Sequence, residues 1–559
     1  MHSTHQNTVF DYVASRDQQA ATPAHHRVVI VGAGPVGLAC AADLALHGIH
    51  AVLLDDNNTV SFGSRGICHA KRTLEILDRL GCGDEIADKG VQWNVGRVYL
   101  RDRELYQFNL QPESGYKRPA FVNLPQYDLE AALVKRVQAL AHTELRWKNK
   151  VTAVKNYPER VELKINTPDG DYSISCDWLI ACDGARSLVR ENLGLTFKGQ
   201  VFEDRFLIAD VYMQADFPSE RRFWFDPPFH LGQSALLHKQ PDNLWRIDFQ
   251  LGRDAAAELE KQPERVIPRI KAMLGDSVPF ELEWVSVYTF QCRRMEKFRN
   301  GRILFAGDSA HQVSPFGARG GNGGMQDADN LGWKLSFVLN KKAPAGLLDT
   351  YHEERSYAAD ENILHSTRST DFLSPQSKIS KVFRDATLEL AEHHAFARTL
   401  VNSGRLSVPA AYALSRLNTP DSGPFKCTLT PGMPAADAPA TLNGQNVWLL
   451  DLLQHGFCGL FFAGRHGLTE EEVKTLHALL IQPVPIAAVI VAPPSPHSKF
   501  QAPSRTRLIE DAQGLIAQRY DGKPGTYYLF RPDQHICARW RKLASGEIFH
   551  ALARSTCNG

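Results

Sequence analysis

The sequence predicts an α/β chain: a parallel, helix-flanked sheet interrupted by a strand-rich module, then a helical segment and a small α/β unit. Three observations predict it. RVVIVGAGPVGLACAADLALHGIHAVLLDD, from Arg27 to Asp56, reads as strand, glycine turn, helix and strand. Its apolar runs VVIV and AVLL are those of strands buried on both faces of a parallel sheet. Two later apolar runs also end in an acid–glycine corner, DWLIACDG at Asp183-Gly184 and RILFAGD at Gly307-Asp308. Between them, FWFDPPFH, LWRIDFQLG and ELEWVSVYTF mix aromatic and β-branched residues, as strands do.

The elements fall in order along the chain. Residues 1–26 are polar and His-rich with no apolar run, and are expected to form a loose arm and not a signal segment. Residues 27–198 hold the first part of the parallel-sheet domain, with amphipathic helices at Lys71–Gly81 and Tyr127–Leu140 and strands from about Val151. Residues 199–291 form the strand-rich module. Residues 292–416 return to the sheet at RILFAGD and continue into long helices. Residues 417–440, rich in Pro, Ser and Gly, are expected to be a linker. Residues 441–559 alternate strand and helix and predict a separate small domain.

Composition limits the function. The chain has 559 residues, 43% of them apolar and 22% charged, which describes a globular protein of more than one domain. With 63 basic and 62 acidic residues there is no electrostatic case for a nucleic-acid or anionic-membrane partner. No apolar run is long enough to span a bilayer. Ten cysteines without a CxxC or zinc-ligand spacing predict reduced thiols, a cytoplasmic setting and no metal site.

Three motifs carry chemistry. Gly32, Gly34 and Gly37 fit GxGxxG between a strand and a helix, so backbone N–H groups and a helix dipole face one point, as in a Rossmann-like dinucleotide site. Asp55 ends the next strand, where a carboxylate can accept from a ribose diol. Asp183 then begins DGARSLVR, whose Arg186 and Arg190 are suited to a phosphate-bearing ligand or to bracing the fold. The third, GDSAHQVSPFGARGGNGG from Gly307, joins Asp308 to a loop fixed by Pro315 and stripped of side chains at Gly317, Gly320, Gly321, Gly323 and Gly324. A helix starts on this loop, and its positive end would stabilise a ring that becomes anionic on reduction.

On these motifs, in this order, the sequence resembles the FAD-dependent aromatic hydroxylases, single-component flavoprotein monooxygenases. LLDTYHEER at Leu347–Arg355 is also similar. The resemblance covers nearly the whole chain and is nearest the phenol, pentachlorophenol and 3-(3-hydroxyphenyl)propionate hydroxylase branch, several members of which carry a thioredoxin-like C-terminal domain. It implies a Rossmann-like FAD-binding domain, an interleaved substrate domain and a thioredoxin-like C-terminal unit. Without a CxxC that last unit would be structural or oligomer-forming, with Cys458 a buried small residue. The implied reaction uses FAD, NADPH or NADH, and O2. A flavin C4a-hydroperoxide transfers oxygen to a ring carbon of a phenolic substrate, in a homodimer or a monomer.

The resemblance also assigns residues. Gly32, Gly34, Gly37 and Asp55 would hold the AMP half of FAD, with Arg65, Gln126, Asp183, Arg186, Arg190, Gly307 and Asp308 around the rest. Pro315 would lie near the flavin face. Gly320, Gly321 and Asn322 would offer amides to the ring. Trp224, Phe225, His238, Trp245 and Arg246 are pocket candidates, Arg246 for a substrate carboxylate unless Asp248 occupies it. His69 and Tyr288 are candidates for phenol activation. Two other readings remain at this point: an FAD-dependent reductase or dehydrogenase that inserts no oxygen, and a non-catalytic FAD-binding protein. A flavin halogenase would carry a Trp-x-Trp pair, which is absent.

Overall fold

The structure, a computed structural model, describes residues 7–252, 254–375, 377–401, 406, 408–421, 423–453, 455–492 and 506–559. The parallel sheet has the order Arg299–Asn300, Ile303–Phe305, Gly170–Ala181, Ala24–Val31, Ala51–Leu54, Thr143–Arg146, with a two-strand extension, Lys150–Asn156 and Val161–Thr167, on the 170–181 strand. Val28, Val29, Ile30, Leu53 and Ile180 expose no surface, as expected of strands covered on both faces.

Register decides where the motifs meet. Val31 stands beside both Leu54 and Ala181, and Ala181 beside Phe305. Four strands therefore end level, and Gly32, Asp55, Asp183 and Gly307 all leave from one edge. In open parallel sheets that carboxyl edge is where ligands bind.

The second sheet has the order His311–Gln312, Phe280–Met295, Phe197–Met213, Leu244–Leu251, Ser234–Lys239, Arg221–Phe225, Val95–Leu100, Arg103–Asn109. It is wider than the 199–291 segment expected from sequence. The hairpin at 95–109 joins it by a parallel pairing of Val95–Leu100 with Arg221–Phe225. This long-range pairing has no local sequence mark. One face of the sheet packs against helix Pro263–Leu274, and the other against Phe316, Leu373 and Leu388. A small third sheet pairs Cys68–Ala70 and Val91–Trp93 with Phe121–Asn123.

The C-terminal sheet runs Gln445–Trp448, Pro439–Leu442, Thr506–Glu510, Ile486–Ala492, Phe457–Phe462, Tyr527–Phe530, Ile536–Trp540. Phe457–Phe462 is parallel to Ile486–Ala492 and antiparallel to Tyr527–Phe530. Two stretches are more ordered than their composition predicted. Within 417–440, Leu417 and Ala438 are buried, and Pro439–Leu442 is a strand. In the N-terminal stretch, Phe10 stacks on Trp147 at 4.6 Å and Asp17 pairs with Arg146 at 2.7 Å. Both stretches are held by apolar and ionic anchors too sparse to register in a composition count; residues 1–6 of the expected arm lie outside the described residues.

Among the described residues no helix is long and apolar enough to cross a membrane, and no cluster of His, Cys, Asp and Glu could hold a metal ion. All ten cysteines are free.

Candidate active site

The first corner separates its three glycines by task. Gly32 has φ +101°, and a Cβ there would strike the Cys182 carbonyl; a Cβ on Gly37 would strike the Gly32 carbonyl. Both are needed to seat helix Pro35–Leu46 on the sheet. Gly34 caps that helix, with nothing within 4 Å of a Cβ position. Its open face lets a ligand reach the uncapped N–H groups of the helix. Asp55 accepts from Ala33 N at 2.6 Å and Asn57 N at 2.8 Å, so it braces the turn. Burial raises its carboxyl, and its remaining lone pairs suit a diol.

At the second corner, Asp183 Oδ2 accepts from Val189 N at 3.0 Å, while Oδ1 is buried with no hydrogen-bond partner. Burial raises this carboxyl too. Arg186 is exposed. Arg190 is buried and committed: it donates to the carbonyls of Ser309 at 3.1 Å and Ala185 at 3.0 Å and lies over Phe197. Of the two arginines, Arg190 ties the second corner to the third and is no longer free for a phosphate.

The third corner is built around a residue that the sequence reading missed. Gly307 has φ +65°, and a Cβ there would press on Val36 at 2.9 Å. Its N–H donates to Asp327 at 2.9 Å. Asp327 also takes His311 Nε2 at 2.7 Å and Arg355 Nε at 2.6 Å. Burial alone would raise the Asp327 carboxyl, but His311 and Arg355 hold it below its usual range. Arg355 donates onward to the Gly323 carbonyl at 2.9 Å and to Tyr412 at 2.7 Å. One carboxylate thus fixes both ends of the loop. A signal existed: Asp327 lies four residues, one helical turn, beyond Gly323.

Helix Gly320–Leu339 begins on that loop, so the amides of Gly320, Gly321 and Asn322 have no helical acceptor. Gly321 is exposed, with nothing near its Cβ position. Pro315 and Asp308 are exposed as well. The Asn322 side chain is spoken for: Oδ1 accepts from Ala70 N at 2.8 Å and Nδ2 donates to the Cys68 carbonyl at 2.9 Å. It pins strand Cys68–Ala70 to the helix, leaving only its backbone for a ligand. Arg65 is exposed, and Gln126 donates to Glu130 at 2.8 Å with its Oε1 beside Gly66.

The neighbouring Glu354 belongs to a buried network that reaches the C-terminal unit. It takes Arg531 at 2.6 Å and Lys334 at 2.7 Å, and Arg531 also pairs with Asp533. Burial pulls the Lys334 ammonium down to about 8.

On the second sheet, period two sorts the substrate candidates by face. His238 stands opposite Arg246, and Arg246 opposite Asp210; Leu236 stands opposite Asp248. The same register carried one pair beyond Arg222–Leu237 sets Arg221 beside His238. Arg221, His238, Arg246 and Asp210 therefore form one polar row, with Asp248 in the next. Phe225, Phe206 and Tyr288 lie in a third row, where Phe206 meets Phe316 at 4.7 Å. Phe225 is packed edge-on to Phe372 of the covering helix, Asp349–Leu373.

Three sequence candidates need correcting. Trp245 lies on the opposite face, in the core under helix Pro263–Leu274, because it alternates with Arg246. Trp224 alternates with Phe225, packs against the same core and stacks on Tyr99 at 5.1 Å. Arg246 is not free: Nε donates to Asp210 at 3.1 Å and Nη2 to Ser64 at 2.5 Å. Its partner is Asp210, and Asp248 is left without it.

His69 donates to the Leu124 carbonyl at 3.0 Å, and burial pulls it down to about 4. Burial, with Arg221 and Arg246 nearby, holds His238 well below its usual range. Asp248 is the opposite case. Burial pushes its carboxyl up to about 6 against the pull of Arg246, and Oδ1 has no hydrogen-bond partner. Arg221 and Asp248 were missed as site residues, although each follows from alternation with a residue already singled out. Opposite this row lies an aromatic wall: Trp93 stacks on Phe121 at 4.8 Å, approaches His238 at 6.3 Å, and shares a cluster with Cys68 and Ala318 of the glycine loop.

These features fit FAD: an open pyrophosphate turn, a buried orphan carboxylate oxygen, and uncovered helix amides beside an aromatic cluster. Comparison with known proteins agrees. Residues 25–366 match the profile of a family described as FAD binding domain. A 3-(3-hydroxy-phenyl)propionate/3-hydroxycinnamic acid hydroxylase of Mycolicibacterium gilvum is 27% identical over 537 residues, 94% of this chain and 91% of that protein. One of the same name from Mycolicibacterium smegmatis is 28% identical over 358 residues, 64% of this chain and 63% of that protein. The fold is that of the flavin-dependent monooxygenase PieE, solved with FAD and substrate, at TM-score 0.80 and 21% identity over 96% of this chain and all of that one.

Proposed function

The chain belongs to the FAD binding domain family, and on that premise we propose that it is an FAD-dependent monooxygenase that hydroxylates a phenolic compound with NADPH or NADH and O2. The observation that carries the reading is the level ending of four strands, which sets Gly32, Asp55, Asp183 and Gly307 along one edge. When bound, FAD supplies reduction by the nicotinamide and activation of O2.

The chain's own residues do the rest. The Gly32–Gly37 turn and Asp55 hold the AMP half; Asp308, Arg65, Gln126 and Arg186 are placed around the remainder. The amides of Gly321 and Asn322, at the positive end of a helix, favour negative charge on the ring. Asp248 is the acceptor for the phenol proton, being poised near neutrality where His69 is neutral and already bonded. Trp93, Phe121 and Phe316 keep the pocket apolar and exclude water.

Three further points belong to the same reading. The order and sense of strands 457–462, 486–492, 527–530 and 536–540 support a thioredoxin-like C-terminal domain. It has no redox role: Cys458 is buried and its thiol pushed up to about 12. Ile379, Val382 and Phe383 lie exposed on helix Lys378–His393 and support a homodimer. Ten free thiols support a cytoplasmic setting.

The test is NADPH and NADH oxidation across a panel of phenols, with oxygen uptake and hydrogen peroxide followed together and product formed under 18O2. Label in a new ring hydroxyl, with little peroxide, is expected. Oxidation of nicotinamide without labelled product from any phenol would favour the reductase reading.

A further inference from the structure

Among the described residues Arg221 is a buried cation with no hydrogen-bonded or ion-paired partner, although Cys68 and Asp248 lie near enough to act on its charge. It is 8% exposed, and among the described residues its guanidinium makes no hydrogen bond and no ion pair; Nε is buried and unsatisfied. Its guanidinium lies over the face of Phe223 at 5.7 Å. The contrast with the other buried arginines is sharp. Arg246 has Asp210, Arg355 has Asp327, and Arg531 has both Glu354 and Asp533. Arg190 and Arg319 donate to backbone carbonyls. Burying a guanidinium with no acceptor is costly, so a chain that gives the others acceptors and leaves this one open keeps it for something else.

Its surroundings say what. Arg221 shares a sheet face with His238, whose Nδ1 is also buried and unpaired, and with Asp248, whose Oδ1 is. Cys68 is near enough to Arg221, Arg246 and Asp248 to feel all three charges. Trp93 reaches His238 from across the pocket, and Ala318 of the glycine loop packs into the Trp93 cluster. The unpaired groups thus lie together on the sheet face against the Trp93 cluster, beside the loop that would carry the ring of FAD.

The geometry points to Arg221 as the anchor for an anionic substituent, a carboxylate, on the aromatic substrate, with His238 beside it. This deepens the hydroxylase reading and rests on it. A planar guanidinium with open N–H groups matches a carboxylate by a fork of two hydrogen bonds. The aromatic wall takes the ring, and Asp248, one row along, is left for the hydroxyl. Arg246, expected from sequence to meet a carboxylate, is satisfied by Asp210 and acts as a neighbouring support.

The experiment uses the FAD-loaded protein without reductant and measures calorimetric binding of two probes, 3-(3-hydroxyphenyl)propanoate and its primary amide. The wild-type protein should bind the carboxylate about 10- to 100-fold more tightly than the amide, the worth of a charge-assisted hydrogen-bonded contact. In Arg221→Gln the ratio should collapse towards one, and in Arg221→Lys it should fall part of the way. An amide bound as tightly as the carboxylate by the wild type overturns the assignment without any variant needing to fold. So does a ratio that survives Arg221→Gln. Should the carboxylate preference hold while no 18O enters any product, the anchor stands and the hydroxylase reading falls.

Discussion

The coenzyme edge and the inner face of the second sheet are built by opposite means. At the edge the working groups are mostly backbone, turns that need glycine and helix amides, joined by three carboxylates at strand ends, Asp55, Asp183 and Asp308. On the sheet face they are side chains, Arg221, His238, Arg246, Asp210 and Asp248, brought together by cross-strand pairing. The first kind of site is written in contiguous residues. The second is written in register, which depends on strands far apart in the chain. The edge should therefore break under any added bulk, and the face under single changes of charge.

The largest effect should come from the first corner. A Cβ at Gly37 would overlap the Gly32 carbonyl. Gly37→Val is expected to unseat helix Pro35–Leu46, cost about 3 kcal/mol or more, and yield protein without FAD. Gly34→Ala is the matched contrast, since nothing lies within 4 Å of that Cβ. The FAD-free protein should keep its stability within about 0.5 kcal/mol, while FAD affinity falls. Thermal melts of both variants with and without FAD check the pair. Equal destabilisation of the two FAD-free proteins would show that the three glycines do not divide their tasks.

Next in size is the network that the glycines cannot provide. Asp327→Asn removes the countercharge of Arg355, which is buried, and weakens the hold on Gly307. Breaking a buried pair from one side costs about 3–5 kcal/mol. A fall in melting temperature with loss of flavin is expected. An FAD content and melting curve like those of the wild type would remove Asp327 from the role given to it.

These two cases mark what was legible in the sequence. The three strand ends, the glycine corners and the module between them could be read because each is a local pattern with a steric reason. The pairing of Val95–Leu100 with Arg221–Phe225 could not, and it moved a hairpin from one domain to the other. Asp327 was hidden because it sits inside a helix, where an acid is ordinarily a solvated residue. The arginine of LWRID was found, but its partner was misjudged. Asp248, two positions on, was the near choice; Asp210, on another strand, is the one that register delivers.

A third prediction concerns proton transfer on the sheet face. Asp248 sits at about 6, with Arg246 and Arg221 drawing it down and burial and Asp210 pushing it up. It accepts a proton only when ionised, so labelled product should fall as pH drops through about 6. Asp248→Asn should remove that limb of the profile and lower hydroxylation about 100-fold, measured as product per NADPH consumed. Stability should run the other way. The folded state holds this proton above the ordinary value of 3.8, so the contribution is present below 3.8 and is lost as pH rises through about 6. Hydroxylation by Asp248→Asn with the wild-type profile would pass the role to another group.

The smallest effect should come from the two tryptophans on the wrong side of the sheet. Trp245 and Arg246 are adjacent in sequence, yet one lies under helix Pro263–Leu274 and the other faces the pocket. Trp245→Phe removes buried area but touches no group on the pocket face. It should cost about 1–3 kcal/mol of stability and leave the KM for a phenolic substrate within about twofold. Trp224→Phe, half-buried against Tyr99, should cost less still. Arg246→Lys, one residue away, should disturb binding more than either, because it loosens Asp210 and Ser64. If instead Trp245→Phe raised KM many-fold with little loss of stability, the pocket would lie on the other face. The register argument would fail there, and the assignments of Arg221 and Asp248 would go with it.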